Sequence, residues 1–240
     1  MVVSSIASMV AASGVETCDV LFRNGTVHAG DGEKAIVHDI AVEDRKIAAV
    51  GPKLDYFSLI TIDCSDCILA PGFIDLHTHS DDELLKRDTR SNINYLMQGC
   101  TTVVTGNCGM GHIDVAKFWQ QANQDGAGTS VAHLLPHGSL RSKIMGKEDR
   151  KPEPEELKEM VRLAGVAMQD GAFGMATGLI YVPGTFAETE ELIEIAKEIA
   201  RHQGLYVSHV RGEGQTLLKS VEEAIRIGSE ASCPTHISHF

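Results

Sequence analysis

Five side chains have the types and the positions to hold a metal ion: His77, His79, Cys108, His209 and His239. Imidazole nitrogen and thiolate sulfur together favour Zn2+ over hard cations such as Mg2+. His77 and His79 stand two apart, the spacing that turns both side chains of an extended segment to one side. A lone His-x-His is common and carries little weight. Here the pair closes the apolar run Gly72 to Leu76 and leads into Ser80-Asp81-Asp82. Cys108 lies in Gly106-Asn107-Cys108-Gly109, just after a second apolar run. His209 ends Tyr206-Val207-Ser208-His209, and His239 ends His236-Ile237-Ser238-His239. One strand-end histidine or one small thiol needs no metal to explain it. Five such donors at the C-terminal ends of four strands point to one centre.

The elements that must carry them follow from periodicity. Short apolar runs predict strands over Gly72–Leu76, Thr101–Thr105, Val131–Leu135, Phe173–Gly178, Leu205–Ser208 and Thr235–Ser238. Helical spacing separates them. Leu157, Met160, Val161, Ala164 and Met168 form one stripe, opened by Pro154 and acidic residues. A second helix starts at Thr189, with Glu190 and Glu191 in its first turn and Ile193, Ala196 and Ala200 along it. A third carries Leu218, Val221, Ala224 and Ile225. Strand and helix in alternation predict parallel βα units, and six of them suit a (β/α)8 TIM-type barrel. No Gly-x-Gly-x-x-Gly sits between a strand and a helix, so a dinucleotide fold has no support. Active sites of such barrels lie at the C-terminal ends of the strands, where all five donors fall. Phe240 comes just after the sixth strand, so the expectation is a barrel truncated there, its last strands missing.

Before Pro71 the texture is different. Asp19–Arg23, Asn24-Gly25 and Thr26–His28 predict a hairpin, and Ile40–Val42 with Lys46–Val50 predict a second around Glu43-Asp44-Arg45. The organisation expected is a disordered leader over 1–17, a small β module over 18–68 and the barrel over 69–240. The leader lacks the basic start of an export signal. Six cysteines scattered over 240 residues do not form a disulfide framework, which favours a cytoplasmic location. A formal net charge of -12 argues against nucleic acid or an anionic membrane as partner.

Other residues near the strand ends invite a role. His137, in His137-Gly138-Ser139-Leu140-Arg141, and Arg211, just after His209, are candidate substrate contacts, set against a structural hydrogen bond and a loop ion pair. Glu213 could line the pocket with Arg211, set against the same loop ion pair. Asn107 either orients Cys108 or supports its turn. Tyr181 could reach the mouth, set against buried aromatic packing. Cys64 and Cys67 have metal-knuckle spacing but no second pair, so they are read as ordinary turn residues.

PGFIDLHTHSDD, QGCTTVVTGNCG, HGSLR, GAFGMATGLIYVPG, YVSHVRGEG and THISH follow one another in an order that resembles the D-aminoacylases, the N-acyl-D-amino-acid deacylases of the amidohydrolase superfamily. The resemblance runs from about Asp19 to Phe240. It implies a β-sandwich domain made from both chain ends beside the barrel. It implies a tightly bound zinc on Cys108, His209 and His239, and a second, weaker position completed by His77 and His79. Many superfamily members bridge two metals with a lysine at the end of the fourth strand. Phe173–Tyr181 has none, in keeping with a cysteine-type centre. The reaction implied is metal-assisted hydrolysis of a linear amide in a small-molecule N-acyl amino acid. The general acid of the family is an aspartate after an eighth strand, so no catalytic acid is assigned within the chain, and the 240 residues alone are expected to be inactive. The alternatives are a cyclic amidase of hydantoinase or dihydroorotase type, and an inactive shortened paralogue serving as a binding partner.

Overall fold

The computed structural model describes residues 15–240; most of the expected leader, residues 1–14, lies outside them. The chain divides into two compact units, one ending at Pro71 and one running from Gly72 to Phe240.

In the first unit, β1 (Glu16–Val27) pairs antiparallel with β2 (Ile36–Glu43) and parallel with β4 (Tyr56–Asp63) and β5 (Ile68–Leu69). β3 (Lys46–Gly51) pairs antiparallel with β2. Glu16 and Thr17, expected in the leader, already belong to β1. The second expected hairpin is present, with Asp44 and Arg45 at positive φ in its turn. The first is not a hairpin. Asn24-Gly25 forms a bulge inside one long strand, with Asn24 at φ 61°. The buried Asp39 carboxylate holds that bulge, accepting from Asn24 N at 2.9 Å and from the Arg23 guanidinium at 3.1 Å. At Gly25 a Cβ would meet Leu69 Cδ1 at 2.4 Å, so the glycine serves close packing and not a reversal of the chain.

The second unit is α/β. β6 (Phe73–Asp75), β7 (Cys100–Thr105) and β8 (Ser130–His133) form one parallel sheet. β9 (Leu135–Pro136), β10 (Gly174–Gly178), β11 (Leu205–His209) and β12 (Thr235–Ile237) form another, also parallel. Leu134 alone separates β8 from β9, and its N–H donates to Thr105 O at 3.0 Å. All six expected strands are present, the third broken in two at Leu134. They run in chain order across the two sheets, and the described residues close no barrel.

The helices are α1 (Ile93–Leu96), α2 (Val115–Asp125), α3 (His137–Met145), α4 (Pro154–Gln169), α5 (Thr189–Arg201) and α6 (Leu217–Ala231). α4 starts as its sequence predicts: Pro154 occupies the first turn, and Glu153 N donates to Glu156 Oε2 at 2.8 Å. It buries Met160, Ala164 and Ala167 against Leu192, Ile195, Ala196 and Ile199 of α5 in the main core. α6 turns a different face inward from the one its apolar stripe suggests. Ser220, Ala224, Ile227, Gly228 and Ala231 are buried, while Leu218 and Ile225 are exposed. Small residues let this helix approach β12: a Cβ on Gly228 would meet Thr235 Oγ1 at 2.0 Å. No helix among the described residues is long and apolar enough to cross a membrane.

Candidate metal centre

β6 ends at Asp75, and Leu76 and His77 form a bend, so His77 and His79 lie in the loop just beyond the strand. The neighbouring strand holds this loop in place. Thr78 donates to Val104 O through both its N–H, at 3.0 Å, and its hydroxyl, at 2.8 Å. The Asp75 carboxylate accepts from His77 N at 3.0 Å. The two imidazoles meet edge to face with centroids 5.2 Å apart.

Cys108 sits in a tight turn after β7, with its own φ at 54° between Gly106 at 80° and Gly109 at 70°. Both glycines are required. A Cβ on Gly106 would meet Leu134 O at 2.0 Å, and one on Gly109 would meet Gly178 N at 2.9 Å. Asp81 holds the entry to the turn, accepting from Gly106 N at 2.8 Å. Asn107 is buried and spends its amide N–H groups on backbone carbonyls, chiefly Val104 O at 2.9 Å. It therefore shapes the turn beneath Cys108, and its Oδ1 has no partner.

The five sequence-marked donors converge. Cys108 Sγ lies 3.4 Å from His77 Nε2 and 3.5 Å from His209 Nδ1. His209 Nδ1 lies 2.7 Å from His239 Nε2. The rings of His77 and His239 are 4.9 Å apart between centroids. Ligand atoms of His77, His79 and Cys108 all fall within 4.8 Å of one another, as do those of His209, Glu213 and His239. Glu213 is the member that sequence reasoning set aside: Oε1 is 3.4 Å from both His209 Nε2 and His239 Nε2. Its spacing of four from His209, in a loop segment, carried no periodic signal.

The local electrostatics suit a cation. Burial first, and then the neighbouring His239, His79 and His209, push the His77 imidazole down to about 4. Burial and His239 likewise lower His209. Both rings are thus neutral at pH 7, the form that offers a lone pair. Burial, followed by the Glu213 carboxylate, pushes the Cys108 thiol up to about 11. A bound cation reverses that preference and deprotonates the sulfur. His77 Nδ1 and His209 Nε2 are buried without a hydrogen-bond partner. Lone pairs of nitrogen and sulfur facing each other repel unless a proton or a cation lies between them. The donor set therefore fits a zinc ion.

The other candidates lie elsewhere. His137 is fully buried, its Nε2 2.9 Å from Glu191 Oε1. Arg141 Nε donates to the same carboxylate at 3.2 Å, and its terminal nitrogens donate to Glu148 O and Arg150 O. His137 belongs to this buried group, with its Nδ1 left without a hydrogen-bond partner and no surface exposed to a substrate. Arg211 pairs with Glu223, not with Glu213. Its Nε and Nη2 reach that carboxylate at 3.0 and 2.9 Å, and Nη1 and Nη2 reach Thr185 O and Ala187 O at 2.8 Å. With every guanidinium nitrogen engaged, Arg211 braces the loop after β11. Tyr181 is half-exposed and not buried, and its ring lies 5.0 Å from that of His209. Cys64 and Cys67 lie in the first unit, in a turn closed by Cys67 N donating to Cys64 O at 2.8 Å.

The chain belongs to the amidohydrolase family, whose profile matches residues 61–239. It is 35% identical to the D-aminoacylase of Alcaligenes xylosoxydans xylosoxydans over 92% of its own length and 50% of that protein's. Among solved structures, a D-aminoacylase described as defining a novel subset of amidohydrolases matches with TM-score 0.87 at 32% identity. That match covers 92% of this chain and 51% of the other. An N-acyl-D-glutamate deacylase of Bordetella bronchiseptica, complexed with zinc and a phosphonate mimic of the tetrahedral intermediate, matches with TM-score 0.88 at 30% identity. Here the coverage is 92% of this chain and 51% of that one. The chain spans about half the length of the curated relatives it matches.

Proposed function

We propose that the cluster at the strand ends binds zinc and serves the hydrolysis of N-acyl-D-amino acids to a carboxylate and a free D-amino acid. The observation that carries this reading is the convergence of Cys108 Sγ with His77 Nε2 and His209 Nδ1, at 3.4 and 3.5 Å. Cys108, His209 and His239 would hold the tighter ion, and His77 and His79 the weaker. Cys108 Sγ touches one ring of each set, which supports a single centre. The same reading takes the Gly72–Phe240 unit as part of a (β/α)8 barrel and the first unit as part of a β-sandwich.

Bound zinc supplies water of lowered pKa, from 15.7 to about 7, and polarises the scissile carbonyl. The chain's own part is to hold the donors. His77 and His209 stay neutral because burial and like neighbours disfavour their protonation. Asp81 and Asn107 fix the Cys108 turn from two sides, through Gly106 N and Val104 O. Deacylase relatives, including one complexed with zinc and a phosphonate mimic, support the substrate class. So does Phe173–Tyr181, which has no lysine for a carbamate bridge.

Protein expressed from its complete gene and loaded with zinc is expected to release amino acid from N-acetyl-D-amino acids and to leave hydantoins intact. Hydrolysis of hydantoins alone would replace this reading with the cyclic-amidase one.

A further inference from the structure

We infer that Glu213 is a positioning residue for the metal centre: its carboxylate stands beside His209 Nε2 as the acceptor for that nitrogen's proton when metal is bound, which leaves Nδ1 of the ring free as the donor. This rests on the zinc reading above and concerns how one ligand is oriented.

The two nitrogens of His209 have separate surroundings. Nδ1 points into the cluster, 3.5 Å from Cys108 Sγ and 2.7 Å from His239 Nε2. Nε2 is buried and has no hydrogen-bond partner. Glu213 Oε1 stands 3.4 Å from it. A neutral imidazole carries one proton, and the partner of the N–H decides which nitrogen keeps the lone pair. With Nε2 protonated toward a carboxylate, Nδ1 is the free nitrogen. Such outer partners of metal-bound histidines fix the tautomer and ring orientation.

The segment that carries Glu213 is itself held in place. Arg211 is clamped by the Glu223 carboxylate and by the carbonyls of Thr185 and Ala187. Gly212 packs against Thr216, whose hydroxyl a Cβ at that position would displace. Arg211 anchors, Gly212 lets the loop pack closely, and Glu213 faces the ring. Each residue of Arg-Gly-Glu thus has a physical reason.

The rival role is direct ligation, because Oε1 is equally 3.4 Å from His239 Nε2. Glu213→Gln separates the two, since its amide oxygen still accepts from His209 Nε2 but is a poor metal donor. Zinc affinity would be measured by chelator competition on wild type, Glu213→Ala, Glu213→Gln and Cys108→Ala. Metal-free circular dichroism would verify that each variant folds. Glu213→Ala is expected to bind zinc about 10- to 100-fold more weakly, with Glu213→Gln recovering most of the loss. The thiolate-to-metal charge-transfer band of the cobalt forms should persist in both. Equal loss in Gln and Ala would mean direct ligation and overturn the inference, as would wild-type affinity in Glu213→Ala. Tight zinc retained by Cys108→Ala would overturn the metal reading itself, and this inference with it.

Discussion

Two clusters of histidine and carboxylate in the same unit are finished in opposite ways. Around Glu191 the chain balances the charge itself, although His137 Nδ1 stays buried without a hydrogen-bond partner. His137 and Arg141 both point at one carboxylate, and the rest of the guanidinium is taken up by backbone carbonyls. Burial alone would raise the Glu191 carboxyl, yet its contacts with His137 and Arg141 outweigh that and hold it below the usual range. At the strand ends, by contrast, nitrogen faces nitrogen and sulfur, and the group opens to solvent at His79 and His239. A cluster whose charges the protein balances holds the fold together. One that the protein leaves short of positive charge is prepared for a cation.

The largest expected effect tests the second half of that contrast. Cys108→Ala should abolish tight zinc binding, whereas Cys67→Ala, in the other unit, should leave zinc content unchanged by elemental analysis. Equal loss in both would remove Cys108 from the centre. Glu191→Ala tests the first half. It strands the Arg141 charge in the core, and breaking one partner of a buried pair costs about 3–5 kcal/mol. Denaturant unfolding should show that loss, while the folded fraction keeps its zinc stoichiometry. A cost below about 1 kcal/mol would place the Glu191 group among surface-like ion pairs.

A smaller, pH-dependent effect should distinguish the clusters further. His77 is pushed from 6.5 to about 4 in the folded chain. Between those values the unfolded state binds the extra proton and the native state does not, so stability rises with pH. The melting temperature of metal-free protein should therefore fall as pH drops from about 6.5 toward 4. His77→Asn should have a shallower decline. Identical slopes would mean that His77 is not the desolvated group the geometry describes.

The strand-end donors were legible because a strand's period of two and its C-terminal end can be read from a single run of residues. The Asn24-Gly25 reading failed for a related reason. A local turn signal does not say whether β2 continues past it, and here Asp39 holds the pair as a bulge. The stripe on α6 misled because Gly228 and Ser220, small and unremarkable in the sequence, are what β12 and the core admit.

The carboxylates divide the same way. Glu190 and Glu191 both suit the first turn of α5 by charge, and only the second turns inward, because His137 and Arg141 lie 54 and 50 residues away in sequence. Glu213, read as half of a loop ion pair with Arg211, loses that partner to Glu223 and faces two histidines instead. Residue type and local period determined the kinds of elements and the ligand chemistry, since both are set within a few residues. Which carboxylate completes a salt bridge and which faces the histidine and cysteine cluster was decided only by the tertiary structure. Coulomb and hydrogen-bond energies depend on distances of a few ångströms that no local spacing contains.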